Sequence, residues 1–229
     1  MPPDSGEELA LSEAQASVIE AVLDHSVVLV RGAAGTGKTT TALWAAHVVL
    51  AQRGKPWQRA LFLTFSRTAV GQVRDRFART ELARRGLGNR VDVATFHGFA
   101  YQMIQAFGIE GTTAGQSPRL RSSAEVRLLG EPAPGELTYQ DLLPAALEIL
   151  RRPSLRSRLQ QRWVMVACDE FQDTGDDEWE LLNEVGEWSR LLLMADPNQT
   201  IYDTLPGKTG AGLPSPFSPW SGSSTTRPT

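Results

Sequence analysis

The feature that most restricts this sequence is a glycine-rich segment directly after a short apolar run. The run Val27–Val30 leads into Gly32-Ala33-Ala34-Gly35-Thr36-Gly37-Lys38-Thr39, which fits the pattern G-x-x-x-x-G-K-[ST]. Glycines let the backbone curl so that successive N–H groups point at phosphate oxygens, and the following helix adds its N-terminal partial positive charge. In such a loop Lys38 reaches the β- and γ-phosphates, and the Thr39 hydroxyl holds Mg²⁺.

A glycine-rich turn that merely joins a strand to a helix is the alternative interpretation. Such a turn does not require a lysine followed by a threonine at these two positions, so we favour a nucleotide site for ATP and Mg²⁺. The residues assigned to ATP binding here are those of the loop and the first helical turn: Gly32, Ala33, Ala34, Gly35, Thr36, Gly37, Lys38, Thr39 and Thr40.

Short β-rich runs alternate with longer helical ones along most of the chain, which predicts an α/β fold: a parallel sheet with crossover helices. The predicted strands are Val27–Val30, Ala60–Phe65, Val91–Thr95, Trp163–Cys168 and Arg190–Ala195. The predicted helices are Glu13–Asp24, Lys38–Arg53, Thr68–Arg85, Phe96–Phe107, Leu137–Arg152 and Asp177–Glu187. The segment 108–136 is rich in Gly, Ser, Pro and Thr, which indicates a loop or a weakly ordered insertion.

Two carboxylates follow the predicted strand Trp163–Cys168. Asp169 and Glu170 are then placed at the carboxyl end of a parallel strand, where ligands bind in such folds. We expect Asp169 to hold Mg²⁺ and Glu170 to orient and deprotonate the attacking water, the division of roles that phosphoryl transfer needs. Acidic residues also favour helix N-termini as solvated side chains, and this alternative suffices for 176–178.

Charge and composition narrow the class of protein only slightly. The formal net charge of -3 does not indicate nucleic-acid binding by itself, although Arg and Lys are concentrated in 52–90 and 119–162. Ordinary solvated helix faces explain that distribution equally well. The single cysteine, Cys168, excludes an intrachain disulfide and lies in an apolar run, so we expect a buried thiol in a cytoplasmic protein. The apolar runs are too short to cross a bilayer.

Taken together with further motifs, the sequence resembles the UvrD/Rep family of superfamily 1 DNA helicases over about residues 11–203. Leu11-Ser12-Glu13-Ala14-Gln15 is similar to the family's adenine-reading motif, which implies that Gln15 hydrogen-bonds adenine. The alternative is a helix capping box from Ser12 to Gln15, and both roles could hold. Asp169–Thr174 is close to the family's most distinctive signature.

The resemblance also implies contacts with single-stranded DNA. Leu63–Ala69 resembles a DNA-contacting strand end, with Phe65, Ser66 and Arg67 as the candidates, although family members more often have Asn and Lys where this chain has Arg67 and Thr68. Ala94–Phe99 resembles the family's T-F-H segment, which adds Thr95 and His97. A packed or capping histidine is the alternative for His97.

The segment Ala195–Tyr202 resembles the next family motif. The resemblance implies that Gln199 senses the γ-phosphate and that Tyr202 lies beside the DNA. Lys38, Glu170 and Gln199 are then the predicted catalytic residues, and Thr39 and Asp169 the predicted metal ligands. An unrelated P-loop kinase or transporter ATPase would leave this segment and Asp169–Thr174 unexplained.

The resemblance implies the first RecA-like domain of a helicase, a P-loop NTPase fold with helices on both faces of the sheet. We expect this domain at 1–205, with a short helical insertion at about 108–162, and a low-complexity, disordered tail at 206–229. The expected function is DNA-stimulated ATP hydrolysis within a 3′–5′ helicase. Because no second RecA-like domain follows, we expect a truncated product or a motor whose other domain comes from a partner chain. The alternative is a nucleotide- and DNA-binding fragment or subunit without hydrolysis.

Overall fold

The computed structural model describes residues 11–79, 87–196 and 198, together with the backbone of 224–228. Its strands are β1 His25–Arg31, β2 Arg59–Thr64, β3 Val91–Thr95, β4 Arg119–Arg121, β5 Glu136–Thr138, β6 Trp163–Cys168, β7 Arg190–Ala195 and β8 Ser224–Pro228. Its helices are α1 Glu13–Asp24, α2 Lys38–Gln52, α3 Arg67–Arg79, α4 Phe96–Phe107, α5 Ser123–Leu129, α6 Leu142–Leu150, α7 Pro153–Arg162 and α8 Asp176–Gly186. Short 3-10 turns lie at Leu87–Arg90 and Phe171–Asp173.

The main sheet has the strand order β3-β2-β6-β7-β1-β8. Its first five strands are parallel, and β8 pairs antiparallel with β1 at the edge. This arrangement confirms the predicted parallel α/β sheet. Because the strands run in the same direction, the segments that follow β1, β2, β3, β6 and β7 all leave the sheet at one edge, where ligands bind in such folds.

Helices cover both faces of this sheet, and alternate side chains of each strand enter different cores. Phe62 of β2 packs with apolar residues of α1, α2 and α3. Its neighbours Leu61 and Leu63 face the other side, among residues of α4, α6 and α8. Side chains of successive strand residues point to opposite faces, so strands that are buried on both sides consist of almost unbroken apolar sequence. This explains why β2, β6 and β7 were recognisable in the sequence.

The insertion differs in detail from the sequence-based expectation. Residues 108–136, predicted to be a loop, contain β4 and α5, and the helix predicted from Leu137 begins only at Leu142, after β5. The buried Arg121 side chain organises this region by donating to the Glu136 carboxylate at 3.1 Å and to the Glu125 carbonyl oxygen at 3.0 Å. Strands of three residues are too short to show a period of two, and such long-range pairing leaves no mark on the local sequence.

Two further differences concern α7 and the tail. Helix α7 was not predicted, although Pro153 at its first turn is a favourable start because proline lacks the N–H that would be unpaired there. No strand was predicted in the tail 206–229, and the backbone of β8 pairs with β1 along the sheet edge. The expected disorder of the tail stays a prediction. The unpaired backbone groups of such an edge accept a further strand. The remainder of the tail lies outside the described residues.

A charged cluster joins the starts of three parallel strands at the edge opposite the ligand-binding one. Asp92 of β3 accepts hydrogen bonds from Arg59 of β2 at 2.7 and 2.8 Å and from the indole N–H of Trp163 of β6 at 3.0 Å. Burial tends to raise the pKa of Asp92, but these hydrogen bonds and the nearby Arg59 and Arg162 charges lower it below its ordinary value of 3.8. The ionised carboxylate therefore stabilises the fold.

Changing Asp92 to asparagine should lower the free energy of unfolding by about 1–3 kcal/mol at neutral pH, because the amide loses the negative charge and one of the two oxygens that accept from Arg59. Since the folded-state pKa is depressed, this stabilisation is present above the unfolded pKa and is lost as the pH falls through the folded one. Urea unfolding of the wild type and the variant at several pH values measures the difference. The exposed Asp75→Asn is the control, and a difference that persisted undiminished below the folded-state pKa would contradict this assignment.

Candidate nucleotide-binding site

The loop between β1 and α2 has the backbone that phosphate binding requires. Gly35 and Gly37 have φ of 81° and 83°, in the left-handed region that favours glycine. The N–H of Gly32 donates to the Ala195 carbonyl oxygen at 3.0 Å, which ties the start of the loop to the end of β7. Helix α2 begins at Lys38 and has no side-chain cap, so the positive end of its dipole faces the loop.

The Lys38 ammonium lies within this loop. It donates to the carbonyl oxygens of Gly32 at 2.6 Å and Ala33 at 3.2 Å. The Thr36 hydroxyl also donates to the Ala33 carbonyl oxygen, at 2.9 Å. The predicted cation is therefore placed at the centre of a curled backbone segment, at the wall of a cavity.

The predicted metal ligands meet directly, although they come from distant parts of the chain. The Thr39 hydroxyl donates to the Asp169 carboxylate at 2.9 Å across a separation of 130 residues. A hydroxyl and a carboxylate are oxygen ligands of the kind that Mg²⁺ prefers, and Mg²⁺ usually combines one or two carboxylates with substrate phosphates. The described part of the chain has no cluster of three His, Cys, Asp or Glu side chains suited to a metal. The hydroxyl and the carboxylate of this pair fit Mg²⁺ that is bound together with nucleotide phosphates.

Glu170 has an unusual backbone conformation, with φ 54° and ψ 42°. It is the only non-glycine residue with a positive φ in the part of the chain that the structure describes. Its N–H donates to the Asp169 carboxylate at 3.1 Å, and its own carboxylate accepts from the Gln172 amide at 2.7 Å. Such strained conformations cost about 1–3 kcal/mol and cluster at functional sites.

A cavity of about 360 Å³ connects these groups. Its size lies within the range of about 300–1,000 Å³ that small-molecule sites occupy. The residues that line it are Ala34, Gly35, Gly37, Lys38, Thr39, Thr40, Thr64, Ala69, Gln72, Val73, Arg76, Asp169 and Glu170. The sequence-predicted loop, metal and base residues thus converge on one space.

Two of the lining residues, Gln72 and Arg76, were not predicted from the sequence. They lie four residues apart on α3 and therefore on the same helix face. Arg76 brings a second cation, besides Lys38, to the lining of the cavity. Their spacing on α3 indicated that Gln72 and Arg76 share a helix face. Only the packing of α3 in the structure shows that this face lines the cavity.

Gln15 forms the helix cap that was one of the two roles left open by the sequence. Its side-chain oxygen accepts from the Ser12 N–H at 3.0 Å, and the Ser12 hydroxyl accepts from the Gln15 N–H at 3.3 Å, so the capping box is formed. The side-chain nitrogen of Gln15 also lies against the phosphate loop, because a Cβ placed on Gly37 would come within 2.9 Å of it. The adenine contact of Gln15 stays a prediction.

The candidates for DNA contact that the structure describes lie where β2 and β3 end. The rings of Phe65 and Phe96 are in contact, with centroids 5.1 Å apart. The side chain of Ser66 accepts from the Ala69 N–H at 3.0 Å at the start of α3, and Arg67 is exposed. Thr95 caps α4 by accepting from the Gly98 N–H. Two of the candidates, Ser66 and Thr95, therefore also serve as helix caps.

His97 stacks on Tyr139 of the insertion, with ring centroids 4.1 Å apart and an interplanar angle of 6°. Tyr139 is 60% exposed and was not predicted to belong to this face. Burial lowers the pKa of His97, and the carboxylates of Glu178 and Asp177 oppose part of the decrease. His97 is therefore a packed residue that still lies on an open aromatic surface.

The prediction for Cys168 is confirmed, whereas those for Gln199 and Tyr202 stay predictions. Cys168 is fully buried, and burial raises the pKa of its thiol well above the ordinary value, as expected of a structural cysteine. Gln199 and Tyr202 lie outside the described residues. The helices that the structure describes are all too short or too polar to cross a membrane.

Comparisons with known proteins agree with this geometry. The AAA domain family matches residues 15–204, which is most of the chain. The RecBCD enzyme subunit RecB of Mycobacterium tuberculosis is 42% identical over 91 residues, covering 37% of this chain and 8% of the relative. RecB of Mycolicibacterium smegmatis is 44% identical over 72 residues, covering 30% of this chain and 7% of the relative. The matched segments thus span less than a tenth of these curated relatives.

The chain therefore belongs to the AAA domain family. The match and the similarity to RecB support a P-loop NTPase motor domain of the superfamily 1 helicase type, with the RecA-like fold that the sheet displays. They do not single out the UvrD/Rep branch that the sequence motifs resemble.

Proposed function

We propose that this chain binds ATP with Mg²⁺ and hydrolyses it, as the first motor domain of a DNA helicase whose turnover single-stranded DNA stimulates. The observation that carries the proposal is the 2.9 Å hydrogen bond from Thr39 to Asp169, which brings the phosphate loop and the acidic strand end together at one cavity. Glu170 follows immediately and supplies a further carboxylate there. A structural turn would have no need of this convergence.

We propose a role for each of the groups around the cavity. The curled backbone of 32–37 and the N-terminus of α2 bind the phosphates, and Lys38 binds the oxygens between the β- and γ-phosphates. Thr39 and Asp169 hold Mg²⁺, which supplies charge neutralisation at the phosphates when bound. Glu170 accepts the proton of the water that attacks the γ-phosphate. We further propose that Arg76 binds a phosphate from the side of α3 and that Gln15 contacts adenine.

We place single-stranded DNA along the carboxyl edge of the sheet, beside Phe65, Arg67 and His97. Because Glu178 and Asp177 make the surroundings of His97 acidic, bases rather than phosphates should contact His97 and Tyr139 by stacking. The exposed guanidinium of Arg67 is suited to a phosphate. Tyr202 and Thr95 belong to the same proposed face, and Gln199 is proposed to sense the γ-phosphate.

Changing Arg67 to alanine should weaken single-stranded DNA binding and reduce its dependence on salt. Removing one cation that neutralises a phosphate should make the slope of log K against log salt less negative by about 0.7. Fluorescence anisotropy with a labelled oligonucleotide at several salt concentrations measures both quantities. The exposed Arg158→Ala on α7 is the matched control, and an Arg67→Ala slope equal to that of the wild type would remove this residue from the proposed DNA face.

The similarity to RecB, a subunit of the RecBCD enzyme, supports the proposal that other protein domains or chains complete this motor. We propose that a second RecA-like domain closes over the ATP, that the complete motor unwinds DNA 3′ to 5′, and that it acts in the cytoplasm. Strand displacement with duplexes carrying either a 3′ or a 5′ single-stranded extension tests the direction. Preferential displacement from the 5′ extension would contradict it.

A further inference from the structure

One buried amide joins the proposed general base to the segment that follows β7. Gln172 lies in the 3-10 turn after β6 and is only 7% exposed. Its Nε2 donates to the Glu170 carboxylate at 2.7 Å, and its Oε1 accepts from the Asp196 N–H at 2.9 Å. A single side chain thus bridges two segments that are 24 residues apart.

The Glu170 end of this bridge needs support. With φ at 54°, its backbone is in a region that residues with a Cβ rarely adopt, so surrounding contacts must hold it. The Asp173 N–H donates to the Glu170 carbonyl oxygen at 2.9 Å, which fixes the main chain. Among the described residues, the Gln172 amide is the group seen to donate to the Glu170 carboxylate. The direction of that carboxylate therefore depends on Gln172.

The other end of the bridge connects to the phosphate loop. Asp196 is 1% exposed and directly follows Ala195, whose carbonyl oxygen accepts from the Gly32 N–H at 3.0 Å. The Asp196 carboxylate accepts from the Asn198 N–H at 2.9 Å, which shapes the start of the next segment. The backbone of Ala195 and Asp196 is therefore bonded to the phosphate loop on one side and, through Gln172, to Glu170 on the other.

We propose that Gln172 is a positioning residue that holds the Glu170 carboxylate and couples it to the backbone after β7. A displacement of Ala195 and Asp196 then moves the base relative to the phosphates. The proposal rests on the proposed function, because it takes Glu170 as the base. A glutamine suits this place since its amide offers a donor and an acceptor at once. A glutamate there would place a second carboxylate against Glu170 and would leave that carboxylate without its donor.

The kinetic test compares Gln172→Leu and Gln172→Glu with the wild-type chain. Loss of a hydrogen bond to a charged group predicts a kcat for ATP hydrolysis lower by roughly tenfold or more, with the KM for ATP and the ATP dissociation constant within about threefold. In the Glu170→Gln background, Gln172→Leu should cause no further loss of kcat. The exposed Gln161→Leu on α7 is the control. A wild-type kcat in both Gln172 variants would overturn the proposal while leaving the proposed function intact.

Amide hydrogen exchange tests the bridge without any need for turnover. Gln172→Leu removes the acceptor of the Asp196 N–H, so exchange at Asp196 should be faster than in the wild type and in Gln161→Leu. Gln172→Glu keeps an acceptor oxygen and should leave this amide protected, which also separates a local change from misfolding. Unchanged exchange at Asp196 in a folded Gln172→Leu would overturn the coupling. A wild-type chain that hydrolyses no ATP would instead count against the proposed function, and the exchange result would still decide the bridge.

Discussion

Changing Glu170 to glutamine is expected to lower kcat for ATP hydrolysis by roughly 10²–10⁴-fold, the usual contribution of a general base. ATP affinity should stay within about threefold of the wild type, because the phosphate loop, Thr39 and Asp169 are untouched. The substitution keeps the size of the side chain and can still receive the 2.7 Å hydrogen bond from Gln172. It removes the negative charge and with it the ability to take a proton from water.

Steady-state hydrolysis together with equilibrium binding of a fluorescent ATP analogue separates these two effects. The exposed Glu20→Gln on α1 is the matched control and should behave as the wild type does. If Glu170→Gln retained a wild-type kcat, a different group would have to activate the water. If it lost ATP affinity to the same extent as kcat, Glu170 would have a role in binding rather than in proton transfer.

Changing Lys38 to alanine is expected to raise the ATP dissociation constant by roughly 30-fold or more, which corresponds to about 2 kcal/mol or above. The ammonium is the cation that the loop encloses, and its removal leaves the phosphate charge to be matched by backbone dipoles, the metal and Arg76. Hydrolysis should fall at least as far as binding, since the same cation stabilises the charge that develops during phosphoryl transfer.

Titration with the fluorescent analogue measures the Lys38→Ala effect, and Lys55→Ala, in the loop between α2 and β2, is the control. Lys38 also donates to the carbonyl oxygens of Gly32 and Ala33, so the variant should be shown to unfold cooperatively near the wild-type temperature. An unchanged dissociation constant in a folded Lys38→Ala protein would mean that the nucleotide is held elsewhere.

Most of the main sheet could be predicted because its strands are buried on both faces. The bounds of β6 and β7 agree with the sequence-based ones, since their apolar runs are followed directly by Asp169 and Asp196 at the carboxyl edge of the sheet. The bounds of the edge strand β3 also agree, although it contains Asp92. The secondary structure of the insertion was harder to predict from the sequence. Its strands β4 and β5 have three residues each, and the burial of Arg121 against Glu136 depends on packing between segments that the local sequence does not reveal.

In the candidate site, too, some residues could be predicted from the sequence and others could not. Residues with a fixed spacing, such as Lys38 with Thr39 and Asp169 with Glu170, could be assigned from motifs because the chemistry dictates their order. Arg76 could not, since its access to the cavity depends on how α3 packs beside the phosphate loop. The bridge made by Gln172 was equally hidden, because one of its partners is a backbone N–H that any residue at 196 other than proline would supply.

The measurement that tests the account most directly is ATP hydrolysis by the purified chain at low salt, with and without single-stranded DNA, beside the Glu170→Gln variant. We predict turnover that rises when DNA is added and that falls to background in the variant. Nucleotide binding without turnover, in the presence of DNA and Mg²⁺, would contradict it and would identify the chain as a nucleotide-binding module that does not hydrolyse ATP.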